Sequence, residues 1–125
     1  MNNKINKVLL VEDDSAIIDI YELMMKKSHL DIEVISSGSK AVDRIRNMAE
    51  DDISKPDIIL LDLVLGDVSG LDVFKEIKGN PITKDIKVFI LTNQQGSDIE
   101  WPDNVAPDKF LIKANTGPAQ LVELI

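Results

Sequence analysis

Six polar residues stand directly behind short apolar runs, and their types fit one kind of chemistry. Glu12, Asp13 and Asp14 follow Val8 to Val11, Asp62 follows Ile58 to Leu61, Thr92 follows Val88 to Leu91, and Lys113 follows Phe110 to Ile112. Carboxylates forced together in a partly dry place repel, and each has its pKa raised unless a cation or a proton is shared among them. A hard divalent cation resolves that conflict. Oxygen ligands without His or Cys favour Mg²⁺, Mn²⁺ or Ca²⁺ over zinc, and few protein ligands with room for waters and a phosphoryl group suit Mg²⁺ best. Lys113 adds a second positive charge. Together with the Thr92 hydroxyl it can hold the oxygens of a transferring phosphoryl group.

These side chains meet only if the runs before them lie side by side. Val8 to Val11 is continuous and rich in β-branched and leucine residues, as expected of a strand buried on both faces of a parallel sheet. Asp13, Asp14 and Ser15 supply helix-start chemistry. From Ala16 to Lys27 the residues Ile17, Tyr21 and Met24 recur on one helical face, and Lys26-Lys27 suits the negative end of the helix. The unit repeats. Ile32 to Ile35 reads as a strand, and Ser37-Gly38-Ser39 opens a helix with Ala41, Ile45 and Met48 on one side. Beyond Pro56, Ile58 to Leu61 is a third strand. Leu71 to Lys78 is a helix with Leu71, Phe74 and Ile77 inward, closed by Gly79-Asn80-Pro81. Val88 to Leu91 and Phe110 to Ile112 complete five strands, and Pro118 starts a last helix of about two turns with Leu121 and Leu124 buried.

Such alternation predicts a doubly wound α/β domain, a (βα)5 flavodoxin-like fold with helices on both faces of a parallel sheet. Ligands of this class bind beyond the carboxyl ends of the strands, where strand order reverses. In the order 2-1-3-4-5, strands one and three flank that point. Glu12, Asp13 and Asp62 then share one crevice. Between strands four and five Pro102 and Pro107 oppose a regular helix, so the fourth helix is expected to be short or missing.

The chain's 125 residues suit one domain, expected over 1–125. A net charge of −8 argues against direct contact with nucleic acid or anionic membrane. The absence of cysteine removes disulfides and thiolate catalysis and fits a reducing compartment. No apolar run is long enough to span a bilayer, and the polar start, 1–7, is no signal peptide. A soluble, cytoplasmic protein is expected.

The segments VLLVEDDSAI (8–17), PDIILLDLVLGDVSGLDVFKEI (56–77), VFILTN (88–93) and KFLIKA (109–114) resemble the receiver domains of two-component response regulators. The match spans essentially the whole chain. The resemblance implies that Asp62 is the nucleophile taking phosphate from a phosphohistidine, and that Glu12, Asp13, Asp62 and the Val64 carbonyl hold Mg²⁺. It makes Thr92 the switch hydroxyl, Lys113 the partner of the phosphoryl group, and Phe110 the aromatic whose rotamer follows. Asp14 lies outside this set and starts the helix. The partners implied are a sensor histidine kinase or histidine phosphotransfer protein, and a downstream effector or fused output domain.

Several positions depart from the family's pattern. Gly66 stands where many relatives have Pro, which loosens the loop. Ala114 replaces the usual Pro after the lysine, so a trans bond is expected. Asn93 replaces a small residue. Val64 and Gln94 occupy positions thought to tune hydrolysis, and apolar Val64 should orient water poorly, giving a long-lived phosphoaspartate. Trp101 is either an exposed partner anchor or packing over the sheet edge, and the burial habit of large aromatics favours the second.

Blander roles stand beside these. Asp62 alone could cap a loop, His29 is best read as a helix-terminal cation, and Lys40, Lys75 and Lys78 as solvated helix faces. A haloacid-dehalogenase-type phosphohydrolase needs an acid two positions beyond its nucleophile, where this chain has Val64. A nucleotide-binding domain lacks its phosphate-cradling glycines here. The alternative kept is a degenerate receiver that binds partners without phosphorylation.

Overall fold

In the computed structural model, residues 6–92, 101, 105–113 and 116–125 are described. Five apolar runs form strands: β1 (Lys7–Val11), β2 (Asp31–Ile35), β3 (Ile58–Leu61), β4 (Lys87–Thr92) and β5 (Lys109–Ile112). They build one parallel sheet in the order β2-β1-β3-β4-β5. Four helices accompany them among the described residues: α1 (Ser15–Lys27), α2 (Gly38–Arg46), α3 (Gly70–Gly79) and α4 (Pro118–Leu124). The doubly wound class and strand order are those the sequence predicts.

The two-residue period of a strand sorts the core into two layers. Leu9, Val11, Ile59, Leu61, Val88 and Ile90 face Ala41, Ile45, Val73, Phe74 and Ile77 from α2 and α3. Val8, Leu10, Ile58, Leu60, Phe89 and Leu91 face Tyr21, Met25 and Leu121 from α1 and α4. Each such side chain contributes about 1.5–3 kcal/mol on burial, so a sheet covered on both sides fixes its own register.

Caps set the helix ends. Asp14 accepts from the Ala16 and Ile17 N–H groups, and Ser37 and Ser69 accept from Lys40 and Leu71. α1 closes through two bonds, His29 N–H to the Lys26 carbonyl at 3.0 Å and Leu30 N–H to the Met25 carbonyl at 2.9 Å. His29 sits in the left-handed region at φ 62, where glycine is the usual occupant. Its place is therefore conformational, just past the helix end.

Three inward assignments need correction. Met25, not Met24, is the buried methionine of α1, because Met25 lies one turn beyond Tyr21. Leu71 is only half-buried while Val73 is fully buried, so the inward face of α3 is centred a little further round. Leu124 is 37% exposed, since α4 is short and turns Leu121 fully, and Val122 partly, onto the core layer it shares with α1. The expectation for the fourth helix falls mostly on 93–100 and 102–104, which lie outside the described residues. None of the described residues between β4 and β5 is helical.

Candidate functional site

Register delivers the acidic residues to one place. Val11 pairs with Leu61 across β1 and β3, so Glu12 and Asp62 leave the sheet at the same level. Backbone bonds continue past the strands: Asp62 N–H donates to the Val11 carbonyl at 3.1 Å and Glu12 N–H to the Ile35 carbonyl at 3.2 Å. Neither side chain can turn away. Glu12 is 1% and Asp62 5% exposed, while Asp13 is exposed. Carboxylate oxygens of Glu12, Asp13 and Asp62 all lie within 4.8 Å of one another.

Lys113, at the end of β5, reaches across the strand ends into this cluster. Its Nζ donates to Glu12 Oε1 at 2.8 Å and to Asp62 Oδ2 at 3.0 Å. Thr92 is fully buried at the end of β4. Burial pushes the Glu12 carboxyl above its ordinary value; the Lys113 hydrogen bond pulls it back, the charge of Asp62 pushes it further up, and the net shift is upward. For Lys113 burial acts downward, but the hydrogen bonds it donates to Glu12 and Asp62 and the charges of those carboxylates outweigh it, and the ammonium is held above its ordinary value. The two directions fit one picture. A single ammonium faces two buried carboxylates and offsets the charge of one, and an exposed third carboxylate adds to the excess. The donor set is all oxygen, with neither His nor Cys, so the residues present fit a hard divalent cation.

The loop after β3 completes the surroundings. Val64 N–H donates to Asp62 Oδ1 at 3.1 Å, and Gly66 N–H to Asp13 Oδ2 at 2.9 Å. Val64 projects outward, 64% exposed. α3 begins against the end of β3 so closely that a Cβ on Gly70 would stand 2.1 Å from the Asp62 carbonyl oxygen. Phe110, half-buried on β5, meets the edge of Trp101 at 5.8 Å, and Trp101 meets Phe74 of α3 at 5.5 Å. Of the two roles considered for Trp101, packing over the sheet edge is the one found.

Glu12, Asp13, Asp62, Thr92 and Lys113 therefore stand at the carboxyl ends of β1, β3, β4 and β5, while Phe110 lies within β5. Asp14 stays outside, capping α1. Asn93, Gln94 and the Lys113–Ala114 bond involve residues outside those described. Missed from the sequence were Gly70, whose signal was its place one residue after the Ser69 cap, and the donor role of Gly66. Asp67, which bonds to the start of α2, had no recognisable signal.

Comparisons agree with the geometry. The sequence profile of the response regulator receiver domain matches residues 8–125. Response regulator Rcp1 of Synechocystis sp. (strain ATCC 27184 / PCC 6803 / Kazusa) is 37% identical over 94 residues, covering 73% of this chain and 64% of Rcp1. The DNA-binding dual master transcriptional regulator RpaA of the same organism is 33% identical over 86 residues, covering 69% of this chain and 33% of RpaA. The chain thus spans between a third and just under two thirds of these relatives. Among solved structures, the phosphorylated cyanobacterial phytochrome response regulator RcpA superposes with a TM-score of 0.77 at 27% identity, over 97% of this chain and 89% of that one. The Mn(2+)-bound form of response regulator Rcp1 superposes at 0.77 with 28% identity, over 95% and 88%. No helix among the described residues is long and apolar enough to cross a membrane. With a parallel sheet in the order 2-1-3-4-5, an acidic cluster at its switch point and a profile match over nearly the full chain, this protein belongs to the response regulator receiver domain family.

Proposed function

We propose that this domain, over 1–125, is an active phosphoacceptor whose acceptor group is the Asp62 carboxylate. One observation carries the reading: Asp62 stands at the end of β3 with its Oδ2 on the Lys113 ammonium at 3.0 Å, inside a cluster with Glu12 and Asp13. Glu12, Asp13, Asp62 and the Val64 carbonyl would hold Mg²⁺, which when bound offsets the excess negative charge and that of the incoming phosphoryl group. An Asp62 oxygen attacks the phosphorus of a phosphohistidine on a sensor kinase or histidine phosphotransfer protein. The new P–O bond forms as the P–N bond breaks, and the released electron pair stays on the imidazole nitrogen, which takes up a proton from solvent. Lys113 then pairs with a phosphoryl oxygen, the Thr92 hydroxyl donates to another, and Phe110 follows Thr92 inward. Output passes to an effector protein or a fused output domain. The net charge of −8 opposes direct DNA contact by this domain, and the reading places it in the cytoplasm.

Acetyl phosphate with Mg²⁺, followed by intact mass measurement, tests the proposal. A gain of one phosphoryl group that disappears in Asp62→Asn is expected. No gain, with a histidine kinase donor tried as well, would leave a receiver that works by partner binding alone.

A further inference from the structure

Eight residues separate the end of β3 from the start of α3, and they are tied down at a point the proposed chemistry does not use. Asp67 is exposed, yet its carboxylate accepts from the Gly38 N–H at 2.8 Å, the Ser37 hydroxyl at 2.8 Å and the Ser39 N–H at 3.1 Å. All three donors belong to the start of α2, on the far side of the loop. Together with the neighbouring Val68 N–H they hold the Asp67 carboxyl well below the usual carboxylate range, the Ser39 N–H first among them. Gly38 lets the two segments touch: a Cβ there would lie 2.6 Å from the Val68 carbonyl oxygen.

Immediately before Asp67, the Gly66 N–H donates to Asp13 Oδ2. That bond is exposed and single, too little to order the loop against its own entropy. The Asp67 contacts are charge-assisted like it, but three converge on one carboxylate at the positive end of a helix. Of the first N–H groups of α2, Ser37 accepts only that of Lys40, at 3.3 Å, so Asp67 supplies the cap for Gly38 and Ser39 from a distant loop and thereby ties that loop to α2. We propose that Asp67 is a positioning residue, which anchors the loop to α2 so that the Gly66 N–H is presented to Asp13 and fixes the direction of that carboxylate. What Asp13 then binds rests on the phosphoacceptor reading; the tether itself does not.

Two readouts on the full chain test this. In the metal-free protein, the Gly66 amide proton should resonate downfield and exchange slowly. In Asp67→Ala it should move upfield and exchange roughly tenfold faster. Mn²⁺ affinity, read from the free-ion electron paramagnetic resonance signal, should weaken roughly two- to tenfold, the worth of one hydrogen bond. Gly66→Pro, which removes the donor, should weaken it equally, and adding Asp67→Ala to Gly66→Pro should cost nothing more. Asp67→Asn keeps an oxygen for Gly38 and should fall between wild type and alanine, which covers the case of an alanine variant that fails to fold. An unmoved Gly66 amide in either Asp67 variant, or losses in Mn²⁺ affinity that simply add, would overturn the assignment. A wild-type protein that ignores Mn²⁺ would instead sink the metal site, while the amide readout still decides the tether.

Discussion

Removing the ammonium from the site tests whether charge is what strains it. In Lys113→Met most of the alkyl volume is kept, while Glu12 and Asp62, 1% and 5% exposed, face each other with no cation between them. A buried charge stripped of its partner costs about 3–5 kcal/mol. Protonation limits the loss. A carboxyl whose ordinary value is 4.5 takes up a proton at pH 7 for roughly 3.4 kcal/mol, at about 1.36 kcal/mol per pH unit. A deficit of about 3 kcal/mol follows, and for a chain of this size that is a fall in Tm of roughly 10–15 °C. The sign with pH is fixed by direction. Burial already raises the Glu12 carboxyl, and losing the Lys113 hydrogen bond raises it further. A group with a raised native pKa favours folding while protonated, so its contribution is whole below its unfolded pKa and is lost as pH climbs through the native one. The variant should approach wild type at pH 5 and fall behind by pH 8. Over that range wild type keeps the contribution of Lys113, whose raised pKa protects stability until alkaline pH. Mg²⁺ should recover more stability in the variant than in wild type, because it replaces the missing charge. The assay is thermal unfolding followed by circular dichroism, across pH, with and without MgCl₂. A deficit independent of pH and indifferent to Mg²⁺ would mean lost packing, and the electrostatic account would be wrong.

Other expectations are simpler to check. His29→Gly relieves a left-handed residue at the end of α1 and should stabilise by about 1 kcal/mol in urea titration; a destabilised variant would show that the side chain matters more than its φ. Gly70→Ala forces a methyl against the Asp62 carbonyl and should cost at least about 1–3 kcal/mol, with weaker metal binding. Trp101, the sole tryptophan, touches Phe110, so its emission should change on phosphorylation; constant emission at full occupancy would contradict movement of Phe110. With apolar Val64 pointing outward beside Asp62, the phosphorylated domain should persist for minutes or longer in a mass time course, and a lifetime of seconds would refute that role for Val64.

Strand positions and site residues were legible because both rest on short-range patterns. Apolar runs of three or four residues followed by Glu12, Asp62, Thr92 and Lys113 name the strand ends and the polar residues gathered there. The faces of helices were less legible. Met24 and Met25 differ by one position, and only packing against the sheet decides which is inside. Least legible were contacts whose partners are far apart in the chain. Nothing local marks Asp67 as the acceptor for Gly38 and Ser39, or Gly66 as the donor to Asp13, because both bonds exist only after α2 and the β3–α3 loop have met.

The Lys113 bridge spans 101 residues to Glu12 and 51 to Asp62. No fragment lacking β5 can form it, and no fragment lacking β1 can hold its partner. The bridge is thus absent until the sheet is complete, whereas the carboxylates it offsets already meet once β1 and β3 have paired. Ions that need Glu12, Asp13 and Asp62 together have little to grip until β1 and β3 have paired. Where that pairing follows the folding barrier, their effect should fall on the rate at which the domain comes apart, with the rate at which it assembles nearly untouched.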